Sequence, residues 1–139
     1  MASRRATVEL LAAPAEVWAF LAEPHHLSDW WPNVGSIEPD RLGMAAGARW
    51  RVRTRVATWL ERAEVEDTLL VHAAEPERRF AFELVRARIR ADLVLSEVAR
   101  GRTRAELTAS GSLLRGFTRS LPHDVLARLH ALVQTAADL

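Results

Sequence analysis

The residues best suited to chemistry lie together in one ten-residue stretch, HHLSDWWPNV, from His25 to Val34. Histidine and aspartate are residue types that bind zinc or exchange protons near neutral pH. His25 and His26 are adjacent, however, so their side chains diverge by about 100° on a helix, and a regular helix cannot direct both at one metal ion. Asp29, four residues after His25, can equally form a pair on the helix surface. The pattern therefore predicts no metal site in this stretch.

Three further histidines lie in segments with regular periodicity. His123 and His130 fall on the side of a C-terminal helical pattern opposite its apolar stripe, which contains Val125 and Leu129. His72 has the opposite strand parity to its apolar neighbours. We therefore expect these three histidines to face solvent.

Asp67 is the candidate for acid–base chemistry, because it shares the alternation of Val65 and Leu69 in a predicted strand. An unbroken strand points its carboxylate inward, where desolvation favours the neutral acid and suits the group to proton transfer. A bulge in the Glu-Asp-Thr stretch would instead turn the side chain to water. The sequence contains no tyrosine, no catalytic triad pattern and no glycine-rich phosphate loop, so no other catalytic group is indicated.

Composition limits the class of protein. The chain has 139 residues, 49% hydrophobic and 27% charged, as expected for one globular domain over residues 1–139. Its 19 Lys and Arg positions are all arginine and are spread along the chain, a distribution that does not predict nucleic-acid binding. Cysteine is absent, no apolar run is long enough to span a membrane, and Glu9 and Pro14 interrupt the first apolar stretch. These features favour a cytoplasmic protein.

The alternation of apolar and polar residues predicts the elements that position these groups. Residues 6–11 indicate a first strand, and Pro14 and Pro24 suit the first turns of two short helices. About six alternating strands follow from Val34 to Leu113, separated by glycine and proline. A long amphipathic helix over residues 121–138 ends the chain. The element order predicts an α+β fold.

Short connections between successive strands imply a curved antiparallel sheet of about seven strands, wrapped around the C-terminal helix. Strict alternation implies that one face of the sheet is solvated and the other is covered. The solvated face of the third strand is predicted to carry Arg49, Arg51, Arg53 and Arg55. Curvature leaves space between the sheet and the helix, and such spaces hold ligands.

The residues with inward parity are the candidates for contact with a ligand in that space. They are mostly apolar, and the paired tryptophans before Pro32 are expected to close one end of the cavity. Trp59 is a further candidate for the wall. The predicted cavity lining consists of Trp30, Trp31, Trp50, Val52, Val65, Asp67, Leu69, Phe80, Phe82, Leu93, Leu107, Val125, Leu129 and Leu132.

Five parts of the chain share one family pattern: VELLAAPAEVWAFLAEPHHLSDWWPNV, GARWRVRT, AAEPERRFAFEL, GRTRAELT and the helical C-terminus. Together they resemble the START/Bet v 1-like (SRPBCC) superfamily, in its polyketide cyclase/dehydrase and lipid-transport branch. The resemblance covers nearly the whole chain and implies the helix-grip fold. Members of that superfamily include aromatic-polyketide cyclases, lipid and hormone carriers, quinone-binding proteins and co-chaperones. Because one fold serves all of them, function has to be argued from the cavity.

Three functions are compatible with the resemblance. A binder or transporter of a small hydrophobic ligand (a lipid, quinone, isoprenoid or aromatic polyketide) needs an almost wholly apolar interior. A polyketide cyclase or dehydratase needs polar groups that converge inside, and a co-chaperone or stress-type module needs an exposed apolar patch. The apolar inward parity favours a non-catalytic binder without a metal or other cofactor. The sequence is compatible with a monomer and with a homodimer.

Overall fold

The computed structural model describes residues 2–57, 62–112 and 117–137; Trp59, a predicted part of the cavity wall, lies outside these ranges. The strands are β1 (Ala2–Leu10), β2 (Val34–Glu38), β3 (Arg49–Ala57), β4 (Arg62–Glu75), β5 (Arg79–Leu84), β6 (Ile89–Ala99) and β7 (Arg102–Gly111). The helices are α1 (Pro14–Leu21), α2 (Leu27–Trp30) and α3 (Leu121–Ala137), and one turn of 3-10 helix, Pro24–His26, precedes α2.

The strands form one seven-stranded antiparallel sheet in the order β1-β7-β6-β5-β4-β3-β2. Strands β2 to β7 lie next to their neighbours in sequence, because antiparallel strands need only short connections. Strand β1 joins the sheet by pairing with β7, and it begins at Ala2, opposite Gly111, four residues before the predicted start. The predicted α+β helix-grip architecture, with short helices after the first strand, is confirmed.

The segment between β1 and β2 folds as a series of short helical turns. Helix α1 begins at Pro14, whose missing N–H costs nothing in a first turn. The Glu23 carboxylate accepts the backbone N–H of His25 and so caps the 3-10 turn. Helix α2 ends at Trp30, because the next residue, Trp31, has an extended backbone with φ −105° and ψ 127°. The single second helix predicted from the sequence is therefore two short turns.

Helix α3 packs on β1, β7 and α2. Val125 and Leu129, two predicted members of its apolar stripe, are fully buried, whereas Leu132 is partly buried. Leu126 and Val133, which the predicted stripe omitted, are buried as well. The buried stripe is wider than predicted because the helix contacts several elements at once and not a single row of partners.

The sheet has an apolar inner face, which joins the helices in one hydrophobic cluster, and a charged outer face. The four arginines of β3 are exposed on the outer face, as predicted. Arg51 forms ion pairs with Glu38 at 3.4 Å and Glu66 at 3.3 Å. Exposed pairs of this kind contribute little to stability, so the inner face holds the fold together.

Candidate functional site

Five aromatic side chains meet on the inner side of the molecule, and each is at most 2% exposed. Trp30 and Trp31 come from the end of α2, Trp50 from β3, and Phe80 and Phe82 from β5. The rings of Trp31 and Phe82 have centroids 5.1 Å apart, and those of Phe80 and Phe82 are 5.0 Å apart. Trp30 meets the rings of both phenylalanines edge-on, at 6.3 and 6.4 Å. We call these five residues the aromatic cluster.

Local sequence explains why these rings converge. Phe80 and Phe82 are two residues apart on one strand, so they project to the same face. Trp30 closes α2 while Trp31 is extended, so the adjacent indoles leave the chain in different directions and meet at 85° between ring planes. Leu27 and Trp30 are the buried residues of α2, which packs against α3. The paired tryptophans, predicted to close one end of the cavity, therefore cover the centre of the sheet by contacting the phenylalanines of β5.

The two buried indole N–H groups of Trp30 and Trp50 differ in their partners. The Trp50 N–H donates to the backbone carbonyl of Gly43 at 2.8 Å. The Trp30 N–H is buried, and the described part of the chain offers it no acceptor within hydrogen-bond distance. A buried donor without a partner costs about 1–3 kcal/mol, so such groups are rare in stable interiors. Nothing in the sequence distinguishes these two tryptophans.

Aliphatic side chains surround the aromatic cluster, and the structure brings most of the predicted lining residues together on the inner side. Val65 on β4 and Leu132 on α3 are only partly buried. Fully buried aliphatic members of the predicted set are Val52, Leu69, Leu93, Leu107, Val125 and Leu129.

Asp67, the predicted acid–base candidate, is 4% exposed and pairs across the sheet with Val52 of β3. Its carboxylate accepts the backbone N–H groups of Thr68 at 2.7 Å, Arg86 at 2.6 Å and Ala87 at 3.0 Å. The pairing of β3 with β4 passes through Asp67 without a register shift, so a bulge that turns it to water is the wrong alternative. The side chain holds the turn between β5 and β6, and its oxygens are occupied.

Thr103 is a buried polar residue that the sequence analysis did not single out. Its hydroxyl donates to the backbone carbonyl of Ala12 at 2.7 Å and so ties β7 to the segment before α1. Its strand parity with Ala105 and Leu107 was the signal that could have identified it. Among the described residues with burial assigned, the buried polar or charged ones are Thr103 and Asp67. Both side chains form hydrogen bonds with backbone groups.

The histidines of the opening stretch point in separate directions. His25 is exposed and its Nδ1 lies 2.7 Å from Glu23, and this side-chain hydrogen bond holds the pKa of Glu23 below its ordinary value. His26 stacks on Phe20 with ring centroids 4.3 Å apart, and its Nδ1 lies 2.7 Å from the Phe20 carbonyl oxygen. Within the residues the structure describes, no three His, Asp or Glu side chains group as metal ligands do. The stretch from His25 to Val34 forms the helical connection between α1 and β2.

The outer face carries its own polar features. A surface pocket of about 240 Å³ is lined in part by His72, Arg79 and Asp92. Arg79 donates two hydrogen bonds of 2.9 Å to Asp92, which raise the pKa of the guanidinium above its ordinary value. His72 is exposed, as predicted, and its Nε2 lies 3.1 Å from Glu83. A separate open pocket, of about 340 Å³, lies beside the turn between β5 and β6 and is lined in part by Asp67 and Arg86. Polar pairs such as Arg79 with Asp92 and His72 with Glu83 are typical of a sheet face that contacts solvent.

A family model described as polyketide cyclase / dehydrase and lipid transport matches residues 1–136 of the chain. The chain belongs to this family. Membership in the polyketide cyclase / dehydrase and lipid transport family confirms the resemblance drawn from the sequence motifs. A search among curated proteins found no significant match.

Several solved structures share the fold of this family member, although their sequence identity to it is low. The chain is similar to protein NE0264 from Nitrosomonas europaea, with a TM-score of 0.72, 16% identity, and coverage of 96% of this chain and 95% of the other. It is similar to TTHA0849 from Thermus thermophilus, with a TM-score of 0.68, 18% identity, and coverage of 98% and 99%. The Aha1 dimer from Colwellia psychrerythraea matches with a TM-score of 0.66, 12% identity, and coverage of 96% of each chain. At such identities the likeness concerns the fold.

No helix within the described ranges of this family member has the length and apolar character needed to cross a lipid bilayer.

Proposed function

We propose that the protein binds or carries a small hydrophobic molecule on the inner side of the sheet, beneath α2 and α3. The observation that carries the proposal is the aromatic cluster, whose five rings all lie on the covered side and touch one another. Flat aromatic walls accept a planar or chain-like apolar molecule without any charged partner. The description of the family, which includes lipid transport, supports the same function.

The polar groups of the interior favour a binder over a cyclase or dehydratase. Such an enzyme needs a buried acid or base that is free to exchange a proton with substrate. Asp67 and Thr103, the buried polar or charged residues of the described chain, each bond to backbone groups. The described interior therefore offers a ligand an apolar surface of defined shape, and its buried carboxylate and hydroxyl are already hydrogen-bonded.

Helix α2 is the element through which a ligand can reach the aromatic cluster. It has four residues, and helices this short owe their stability to packing and not to their own hydrogen bonds. Its anchors are Leu27 and Trp30, so displacing α2 separates Trp30 from Phe80 and Phe82. A ligand that buries about 200 Å² of apolar surface there gains about 5 kcal/mol before the costs of association.

The proposed site lies within one chain, so a monomer and a homodimer can serve equally. The proposal places ligand exchange in the cytoplasm, as the composition predicts, and assigns no role to nucleic acid. Arg51 of the outer face supports that last point, because it is already paired with Glu38 and Glu66.

A fluorescent titration tests the proposal. N-phenyl-1-naphthylamine is uncharged and aromatic, and its emission rises in apolar surroundings. We expect saturable binding to the wild type and about tenfold weaker binding to Phe82→Leu, which removes about 1.4 kcal/mol of ring contact. The matched control is Val94→Ala, a truncation of an exposed side chain on β6. Absence of saturable binding, or equal weakening in both variants, contradicts the proposal.

A further inference from the structure

The Trp30 indole N–H is a group able to specify the ligand of the aromatic cluster. The side chain is 1% exposed, and no acceptor in the described ranges lies within hydrogen-bond distance of its nitrogen. Trp50 is equally buried, yet its N–H is paired with the Gly43 carbonyl. Of these two buried donors, the Trp50 N–H has an acceptor and the Trp30 N–H still needs one.

The described interior supplies no oxygen acceptor to the Trp30 N–H. Trp30 is edge-on to the rings of Trp31, Phe80 and Phe82, which carry no oxygen. The buried carboxylate of Asp67 and the buried hydroxyl of Thr103 are committed to backbone groups of other segments. A molecule that enters the aromatic cluster can supply the oxygen acceptor that these residues do not provide.

We propose that the Trp30 indole N–H anchors a neutral carbonyl oxygen of the bound molecule, as in a ring ketone, quinone or ester. This inference rests on the proposed function, because it concerns the same site. A carbonyl oxygen accepts a hydrogen bond through exposed lone pairs and leaves the rest of the molecule free to be apolar. A carboxylate or phosphate does not fit, because no arginine or histidine of the described chain is among the buried residues, and an unpaired buried charge is costly. The ligand class is thus an apolar carbonyl compound.

Two matched ligands and one isosteric replacement test the inference. The ligands are α-tetralone and tetralin, which share one bicyclic skeleton and differ in the ketone. Replacing Trp30 by β-(3-benzothienyl)alanine keeps the bicyclic shape and removes the N–H. We expect the affinity ratio of tetralone to tetralin, measured by displacement of N-phenyl-1-naphthylamine, to fall about three- to tenfold with this replacement. The same replacement at Trp18, a partly buried residue of α1, is the control and leaves the ratio unchanged.

Nuclear magnetic resonance gives a second readout that does not depend on affinity. The chain has five tryptophans, so its ¹⁵N spectrum contains five indole signals, and Trp30→Phe assigns one of them. We expect the Trp30 indole proton to move downfield with tetralone and not with tetralin. A Trp30 proton shielded by a phenylalanine ring in every state overturns the inference, because that ring then serves as the acceptor. A long-lived water that stays on the N–H when tetralone binds also overturns it.

The outcomes separate this inference from the proposed function. If neither tetralone nor tetralin displaces the probe, the hydrophobic site itself is contradicted. If both displace it and their ratio is the same in wild type and the benzothienyl variant, the site stands and the carbonyl anchor is wrong. 2-Naphthoate extends the test to charge, and tighter binding of this carboxylate than of 2-acetonaphthone contradicts the neutral ligand class.

Discussion

The Asp67 carboxylate of β4 lies 2.6 Å from the backbone nitrogen of Arg86, nineteen residues later, in the turn between β5 and β6. A second bond, 3.0 Å long, joins it to the nitrogen of Ala87. Together with the backbone N–H of Thr68, these donors satisfy the buried carboxylate, so a residue that looks catalytic in the sequence stabilises a turn.

Asp67→Asn tests this structural role. The amide keeps one acceptor oxygen and turns a donor toward the backbone N–H groups, so we expect a loss of about 1–3 kcal/mol in the free energy of unfolding. Urea denaturation measures the loss, and hydrogen exchange at Arg86 and Ala87 should accelerate. Glu66→Gln, next in the chain and exposed, is the control and should change stability little. Equal effects of the two substitutions contradict the role.

Leu129→Ala tests the packing of α3 against the sheet. Leu129 is fully buried, so its truncation should lower the free energy of unfolding by about 2–5 kcal/mol. The adjacent Arg128 is exposed, and Arg128→Ala should shift stability by less than about 0.5 kcal/mol. Thermal and chemical denaturation of both variants give the comparison. A loss below about 1 kcal/mol for Leu129→Ala shows that the side chain borders a void and not packed neighbours.

Thr103→Val tests the bond that ties β7 to the segment before α1. Valine has nearly the same shape, but it leaves the buried carbonyl of Ala12 without its donor. We expect a loss of about 1–3 kcal/mol in stability. Thr108→Val on the same strand has the opposite parity and is partly exposed, so it serves as the control. A neutral Thr103→Val, with the control also neutral, shows that the bond is not needed.

Because of Asp40, the free energy of unfolding depends on pH in the acid range. The backbone N–H of Arg49, then those of Gly43 and Leu42, donate to its carboxylate and hold the pKa of Asp40 below its ordinary value. A lowered folded-state pKa means that the contribution is complete above the unfolded value of about 3.9 and is lost as pH falls through the folded value. The melting temperature of Asp40→Asn should therefore approach that of wild type as pH falls below about 4. A gap in melting temperature between Asp40→Asn and wild type that stays constant as pH falls is the contrary result.

Much of the fold followed from periodicity in the sequence. Strict alternation assigned Phe80, Phe82, Leu93 and Leu107 to the inner face, because successive strand residues point to opposite sides. The same rule placed the arginine row of β3 outside. Short apolar segments with proline at their starts indicated the helices before β2. These features are local, so the amino-acid order alone could determine them.

Only the tertiary structure decided which polar groups are occupied. Asp67 bonds to a turn about twenty residues away, and Thr103 bonds to a carbonyl ninety-one residues earlier in the chain. Trp30 and Trp50 have identical donors, yet only Trp50 lies beside a loop carbonyl. Hydrogen-bond partners depend on how distant segments fold against one another within a few tenths of an ångström, and periodicity carries no such information. The sequence by itself determined most of the strand side chains that face inward, whereas the contacts of Trp30 with Phe80 and Phe82 left its N–H without an acceptor.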